Sequence, residues 1–270
     1  MRTHTAVALA CIAVVATGCL HGAPQAGLDE ALDRETTSYT VESTTTIEVS
    51  ASDAPGVTNE MQRTAAVDRP NDGLRSRTES TQTTSGSSTG QTTHDYVFDG
   101  VLYTRTEHPE SSDQNDTGWL RYDDPPTVNE TRDALDSLAA AEDALDDAET
   151  TESTETEVEG TPAVKATLDP STVDRTALLG AKLSDSADYL DELSYDSFET
   201  TVYVARDDPR LLRLNATVEL TAEGRGTAGE DLDAEIRVVE NYSAYDEDVD
   251  TEPPEEALDA ETVSTGTTAR

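Results

Sequence analysis

Two hydrophobic periods run along this chain, and each predicts an element. In residues 39–50, Tyr39, Val41, Ile47 and Val49 fall on one face and Thr40, Glu42, Thr44 and Glu48 on the other, the alternation of a half-buried strand. The same alternation returns three times near the C-terminus. Phe198, Val202 and Val204 alternate with Glu199, Thr201 and Tyr203. Leu212, Leu214, Ala216, Val218 and Leu220 alternate with Arg213, Asn215, Thr217, Glu219 and Thr221, and Leu232, Ala234, Ile236 and Val238 with Asp233, Glu235 and Arg237. Three consecutive strands sharing one apolar face predict an antiparallel meander.

Turn chemistry adds two hairpins: 94–98 with 101–107 around Asp99-Gly100, and 152–159 with 163–169 around Glu159-Gly160. Two Thr-rich stretches, 58–68 and 74–84, flank the turn Arg69-Pro70-Asn71-Asp72-Gly73 and are read as strands. Residues 85–93 are rich in Ser, Thr and Gly and predict a loop. Helical spacing marks 26–35 (Leu28, Leu32), 130–148 (Leu135, Leu138, Leu145) and 171–193 (Leu179, Leu183, Ala187, Leu190). Residues 107–129 read as a loop carrying Trp119 and Tyr122. The expected fold is α+β: a curved antiparallel sheet, an incomplete β-barrel, with helices packed on one face. It spans 26–245, and the Pro- and Thr-rich acidic stretch 246–270 is expected to be a disordered tail.

The N-terminus reads differently. Arg2 precedes an apolar run at 6–16, too short to span a bilayer, so 1–18 is expected to be a secretory signal peptide. The run ends in Ala16-Thr17-Gly18-Cys19, which resembles a lipobox, with Ala16 where a larger aliphatic residue is usual. That resemblance implies cleavage before Cys19, a lipid on its thiol and a tether over 19–25. The protein would then be exported and anchored to the outer face of the cell membrane. The competing reading is an ordinary secreted protein with a chance cysteine. Cys11 lies inside the run, so the mature chain would keep one cysteine and no internal disulfide.

Charge changes the picture again. The 270 residues hold 57 Asp and Glu against 18 Lys and Arg, a net charge of −39. That field excludes a nucleic-acid partner bound by phosphate neutralisation. It also makes the chain repel itself unless salt screens it, and in molar salt the screening length falls to about 3 Å. Only Lys165 and Lys182 are lysines, and this acid-rich, lysine-poor composition resembles that of haloarchaeal proteins. A disordered acidic stalk would share the composition but not the strand alternation.

Candidate chemistry is sparse. His4, His21, His94 and His108 lack metal-ligand spacing, and no phosphate loop or nucleophile elbow occurs. Acidic clusters such as Asp143, Asp146 and Asp147 follow no calcium-loop pattern. The reading therefore contains no enzyme, metal or cofactor. Sequons at Asn115, Asn129, Asn215 and Asn241 are candidate glycosylation sites, the first two expected in loops and the last two on polar strand faces. The apolar faces carry the candidate ligand-cavity residues Tyr39, Val41, Ile47, Val49, Phe98, Phe198, Val202, Leu214, Val218 and Ile236, with Trp119 as a lid anchor or a partner-facing residue. The same faces also serve simply as core.

Local phrases resemble a family of haloarchaeal surface lipoproteins of unassigned function. They are Tyr103-Thr104-Arg105-Thr106, Gly118-Trp119-Leu120-Arg121-Tyr122, residues 195–204 and residues 211–220. The order of elements resembles the LolA/LppX-like lipoprotein fold, an incomplete barrel capped by helices. That resemblance implies a membrane-anchored surface lipoprotein that binds a lipid or other amphipathic ligand as carrier or chaperone. The alternative is a structural or adhesive envelope component with a filled core.

Overall fold

The structure is a computed structural model, and it describes residues 23–51, 54–108, 118–183, 194–222 and 231–263. Its frame is one open sheet of eleven antiparallel strands. In chain order these are β1 (Ser38–Ala51), β2 (Ala54–Asp68), β3 (Gly73–Thr84), β4 (Ser87–Phe98), β5 (Val101–Glu107), β6 (Leu120–Tyr122), β7 (Thr150–Val158), β8 (Thr161–Leu168), β9 (Ser194–Ala205), β10 (Leu211–Ala222) and β11 (Leu232–Ser243). Their spatial order is β6-β5-β4-β3-β2-β1-β11-β10-β9-β8-β7. The first and last strands of the chain therefore pair at the centre, with Ile47 opposite Ile236. Two arms extend from that seam, β2–β6 on one side and β7–β10 on the other, and their outer edges stay apart. The fold is α+β with an incomplete barrel.

Tight turns fix the register. At Ser85-Gly86, Asp99-Gly100 and Glu159-Gly160 both central residues have positive φ (between 50° and 87°), the geometry whose twist matches two antiparallel strands. The first of these turns lies inside the expected loop. Residues 87–93 are instead part of β4, paired along its whole length with β3. Their lack of hydrophobic alternation reflects a strand solvated on both faces. The outer strand β7 carries Thr and Glu in alternation, which blunts its open edge.

The connection between the two edge strands runs through α2 (Pro125–Leu135) and α3 (Ser137–Leu145), where a single helix over 130–148 was expected. Asp124 caps α2, accepting from the Thr127 amide at 3.2 Å ahead of two prolines, and Asp136 caps α3, accepting from the Ala139 amide at 2.9 Å. Asp136 thus breaks a continuous apolar stripe into two helices. The helix expected at 26–35 is α1 (Ala23–Leu32), so chain read as tether from Ala23 is helical. The helix expected over 171–193 is α4 (Arg175–Leu183), and Ala187 and Leu190 lie outside the described residues.

One core holds both arms together. It includes Leu102 on β5, Leu74 on β3, Tyr39 and Val41 on β1, Leu214 on β10 and Leu168 on β8, closed by Leu28, Val128, Leu138, Leu145 and Leu179 of the helices. A sheet whose opposite ends share one helical layer must curve round it.

The acidic stretch expected as a disordered tail is placed chain as far as Val263. Asp246 accepts from the Thr37 amide at 2.9 Å and from Arg210 at 2.7 Å. Thr251 is buried against Gly73, where an added Cβ would lie 2.4 Å from the threonine Oγ1. The short helix α5 (Glu255–Leu258) follows with Ala257 buried, and the Val263 amide donates to the Arg121 carbonyl of β6 at 2.8 Å. Local polar contacts and the buried side chains of Thr251, Pro253 and Ala257 fix this belt, and hydropathy does not register them.

Candidate functional site

Cross-strand register sorts every side chain onto one face of the sheet, because directly opposed antiparallel residues point the same way. The inner face is the one bearing Tyr39 and Val41. On the C-terminal arm, β8–β11 present Val164, Ala166, Leu168, Phe198, Thr200, Val202, Leu214, Ala216, Val218, Leu220, Ile236 and Val238, apolar except for Thr200, and the edge strand β7 turns polar, with Ser153 and Glu155. On the N-terminal arm the buried apolar residues are confined to the base, at Ala65, Val67, Leu74, Val97 and Leu102, while Met61 and Val57 higher on β2 are only half-buried. Above that base the same face carries Ser76, Thr78, Ser80, Gln82, Gln91, Thr93 and Asp95. One half of the cradle is oily and the other is hydroxyl- and amide-lined.

A buried polar row marks the boundary. Arg63, Ser43 and Glu240 are opposed across β2, β1 and β11, and the small Ser43 lets the Arg63 guanidinium reach Glu240 Oε1 at 3.7 Å. Glu240 is wholly buried and also accepts from the Tyr242 hydroxyl at 2.7 Å. Burial, then the adjoining Glu240 charge, pushes the Tyr242 phenol well above its ordinary value. Arg63 also donates to the Ser137 hydroxyl and to the Ala134 carbonyl at 3.4 Å, which fastens the α2–α3 elbow to the sheet. Beside it, Tyr39 donates to Asp136 at 2.7 Å and accepts from the Leu138 amide at 3.1 Å. Arg69 lies 3.4 Å from Asp136 and 3.3 Å from Glu142. The helical plug is therefore held by paired charges at the line where the two halves meet.

Most of the predicted cavity residues share the inner face. Tyr39, Val41, Val202, Leu214 and Val218 are fully buried there, Phe198 and Ile236 nearly so, and Ile47 and Val49 are half-buried. Two others fall elsewhere. Phe98 opposes Val101 on the outer face, since its neighbour Val97 takes the inner position. Trp119 stacks edge-on against His94 and Tyr96, at centroid distances of 6.4 and 5.7 Å. Both partners are outer-face residues of β4, so Trp119 covers the outside of the sheet rather than a cavity mouth.

Asn215 and Asn241 lie on the outer face, and Asn241 accepts from Arg213 Nε at 2.5 Å. Asn129, expected in a loop, is an exposed residue of α2, because Pro125 starts that helix earlier than its apolar stripe suggests. Cys19 and Asn115 lie outside the described residues. No cluster of three metal-ligating side chains occurs among the described residues.

The row Arg63–Ser43–Glu240 was missed in the sequence, though one signal pointed to it. In β11, Glu240 occupies the position that the spacing Ile236, Val238, Tyr242 reserves for an apolar side chain. A carboxylate there is buried, and a buried carboxylate requires a partner.

Two hollows adjoin the inner face. One, of about 240 Å³, lies beneath α1 and is lined by Gly27 with Val164, Ala166, Val204 and Ala205. Arg206 and Glu155 also line it, and Arg206 donates to Glu155 at 3.1 Å. The other, of about 700 Å³, lies where β8 and β9 part.

No protein-family model matches this chain, and no curated protein matches it. Among solved structures, it is similar to a LolA superfamily protein from Nitrosomonas europaea, at 12% identity over 83% of this chain and 93% of that one, with a TM-score of 0.23. It is also similar to a β-barrel-like protein of a domain of unknown function from Brucella abortus, at 10% identity over 79% of this chain and 100% of that one, with a TM-score of 0.30.

Proposed function

We propose that this chain is an exported surface protein, tethered to the membrane through a lipid on Cys19, that holds the apolar part of a lipid or other amphipathic molecule on the inner face of its sheet. The observation that carries the reading is the hollow beneath α1. Its walls include Val164, Ala166, Val204 and Ala205 beside the polar Ser153, Thr154 and Glu155, and it lies against a helix that begins at Ala23, shortly after Cys19. A ligand leaving the bilayer would meet this end of the molecule first. We read the acidity as adaptation to high salt.

Filling the hollow tests the reading. A Cβ added at Gly27 meets nothing within 4 Å, and replacing a helical glycine also favours the helix. Gly27→Leu is therefore expected to leave the protein folded and displace a bound chain. Organic extraction of the purified protein followed by mass spectrometry should find one enriched lipid in the parent and little in Gly27→Leu. Cys19→Ser should move the protein from the membrane to the soluble fraction, and continued membrane association would refute the anchor.

A second reading has its own support: Val202, Leu214 and Val218 are 0% exposed, as in a filled structural module. An empty extract from folded protein would favour it.

A further inference from the structure

β8 and β9 pair only along 163–167 opposite 201–205. Below that, β8 leaves the sheet through the Asp169-Pro170-Ser171 turn, whereas β9 continues downward along 194–200 with β10 as its partner. Among the described residues this leaves one edge of β9 unpaired and opens a notch in the sheet, occupied by the hollow of about 700 Å³. That size suits a small ligand. Because the sheet is interrupted, residues of both faces meet there: Leu168, Tyr195 and Phe198 from the inner side, Lys165, Thr167 and Thr201 from the outer.

Two cations line this notch. The Arg175 guanidinium lies 5.2 Å from the ring centres of both Tyr195 and Phe198 and donates to the Pro170 carbonyl at 3.1 Å, leaving its other N–H groups free among the described residues. Lys165 is half-buried. Neither has a carboxylate oxygen within 4.0 Å among the described residues. Elsewhere Arg34, Arg69, Arg206, Arg210 and Arg237 all have carboxylate partners, as expected where acids outnumber bases so heavily. Two unspent cations beside an aromatic floor are an anion site with an apolar flank. Asp196 and Glu199 also line the notch, and their charges disfavour a multiply charged anion more than a singly charged one.

We propose that the notch binds a monoanionic amphiphile, its carboxylate or phosphodiester group held by Lys165 and Arg175 and its apolar body lying on Leu168, Tyr195 and Phe198. The site shares no lining residue with the hollow beneath α1 and stands independently of it.

Calorimetric titration of the full chain with decanoate, decanol, decyltrimethylammonium and inorganic phosphate tests it. In the Gly27→Leu chain, whose hollow beneath α1 is filled, decanoate should bind and the other three should not. Lys165→Gln and Arg175→Gln should each weaken decanoate about tenfold, the loss of one charge-assisted contact, with unchanged circular dichroism. Arg237→Gln and Gly27→Leu should leave its affinity intact. Equal binding of decanol, tight binding of phosphate alone, or indifference to both notch substitutions would overturn the proposal. Loss of decanoate binding in Gly27→Leu alone would assign the ligand to the hollow beneath α1 instead.

Discussion

The two arms share antiparallel pairing outward from one central seam, yet they are built from different chemistry. Along the inner face of β10, Leu214, Ala216, Val218 and Leu220 are all buried, whereas along β3 burial stops at Ser76 and gives way to Thr78, Ser80, Gln82 and Thr84. Backbone pairing and a few cross-strand side-chain hydrogen bonds, such as Ser80 to Asn59 at 3.2 Å, sustain the distal part of the polar arm, while the apolar arm adds a helical layer that excludes water. A sheet can thus extend well past its core, provided its side chains favour extended backbone and stay soluble, which is what Thr does.

The largest expected contrast comes from truncation. Leu214→Ala, in the fully buried row, should cost about 2–5 kcal/mol in denaturant unfolding, whereas Ser80→Ala in the polar arm should change stability by less than about 0.5 kcal/mol. Similar losses at both sites would break the comparison. At the boundary, Tyr242→Phe removes a hydrogen bond to buried Glu240 and should cost about 1–3 kcal/mol by the same measurement.

Titration should mark the same boundary. Burial holds the phenols of Tyr39, Tyr242 and Tyr245 above their ordinary value, so the folded state favours the neutral form. Their contribution is complete below about pH 10 and is lost as pH rises above it. On the acid side, the Thr37 amide and then Arg210 hold Asp246 down at about 2. Its contribution is present above the usual carboxylate range and is lost as pH falls through that range toward 2. Stability measured against pH should therefore decline at both ends, and a flat alkaline limb would contradict the tyrosine assignment. The smallest effect is expected at Asp95, whose carboxyl is pushed up by burial, against the lowering pull of Thr104, His94 and Arg63. Asp95→Asn should raise stability slightly at neutral pH and leave it unchanged in acid.

The apolar arm was legible because hydrophobic alternation records burial directly. β1 and β9–β11 follow from it, and turn chemistry marked the hairpins at Asp99-Gly100 and Glu159-Gly160. The distal polar arm left no such record: residues 87–93 have no buried face, so only the φ-permissive Ser85-Gly86 pair marked the hairpin. The same gap explains the faces of Phe98 and Trp119. Phe98 was counted with the apolar faces, and Trp119 was left open between a lid anchor and a partner-facing residue, but register puts Phe98 one position out of phase with Val97, and His94 and Tyr96 offer Trp119 an outer-face platform. The helix break at Asp136 escaped notice because Leu135 and Leu138 continue one stripe across it. The belt to Val263 depends on Thr251 meeting Gly73, a steric fit between distant segments.

The central claim is that one arm holds the water-excluded inner face while the other, above the Arg63–Ser43–Glu240 row, is solvated on both sides. Amide hydrogen exchange read segment by segment tests it most directly. Slow exchange across β9–β11 and the lower parts of β2–β4, with fast exchange over 79–93, is the predicted result. Uniformly slow exchange over 79–93 would contradict it, because that pattern requires a cover over the polar arm.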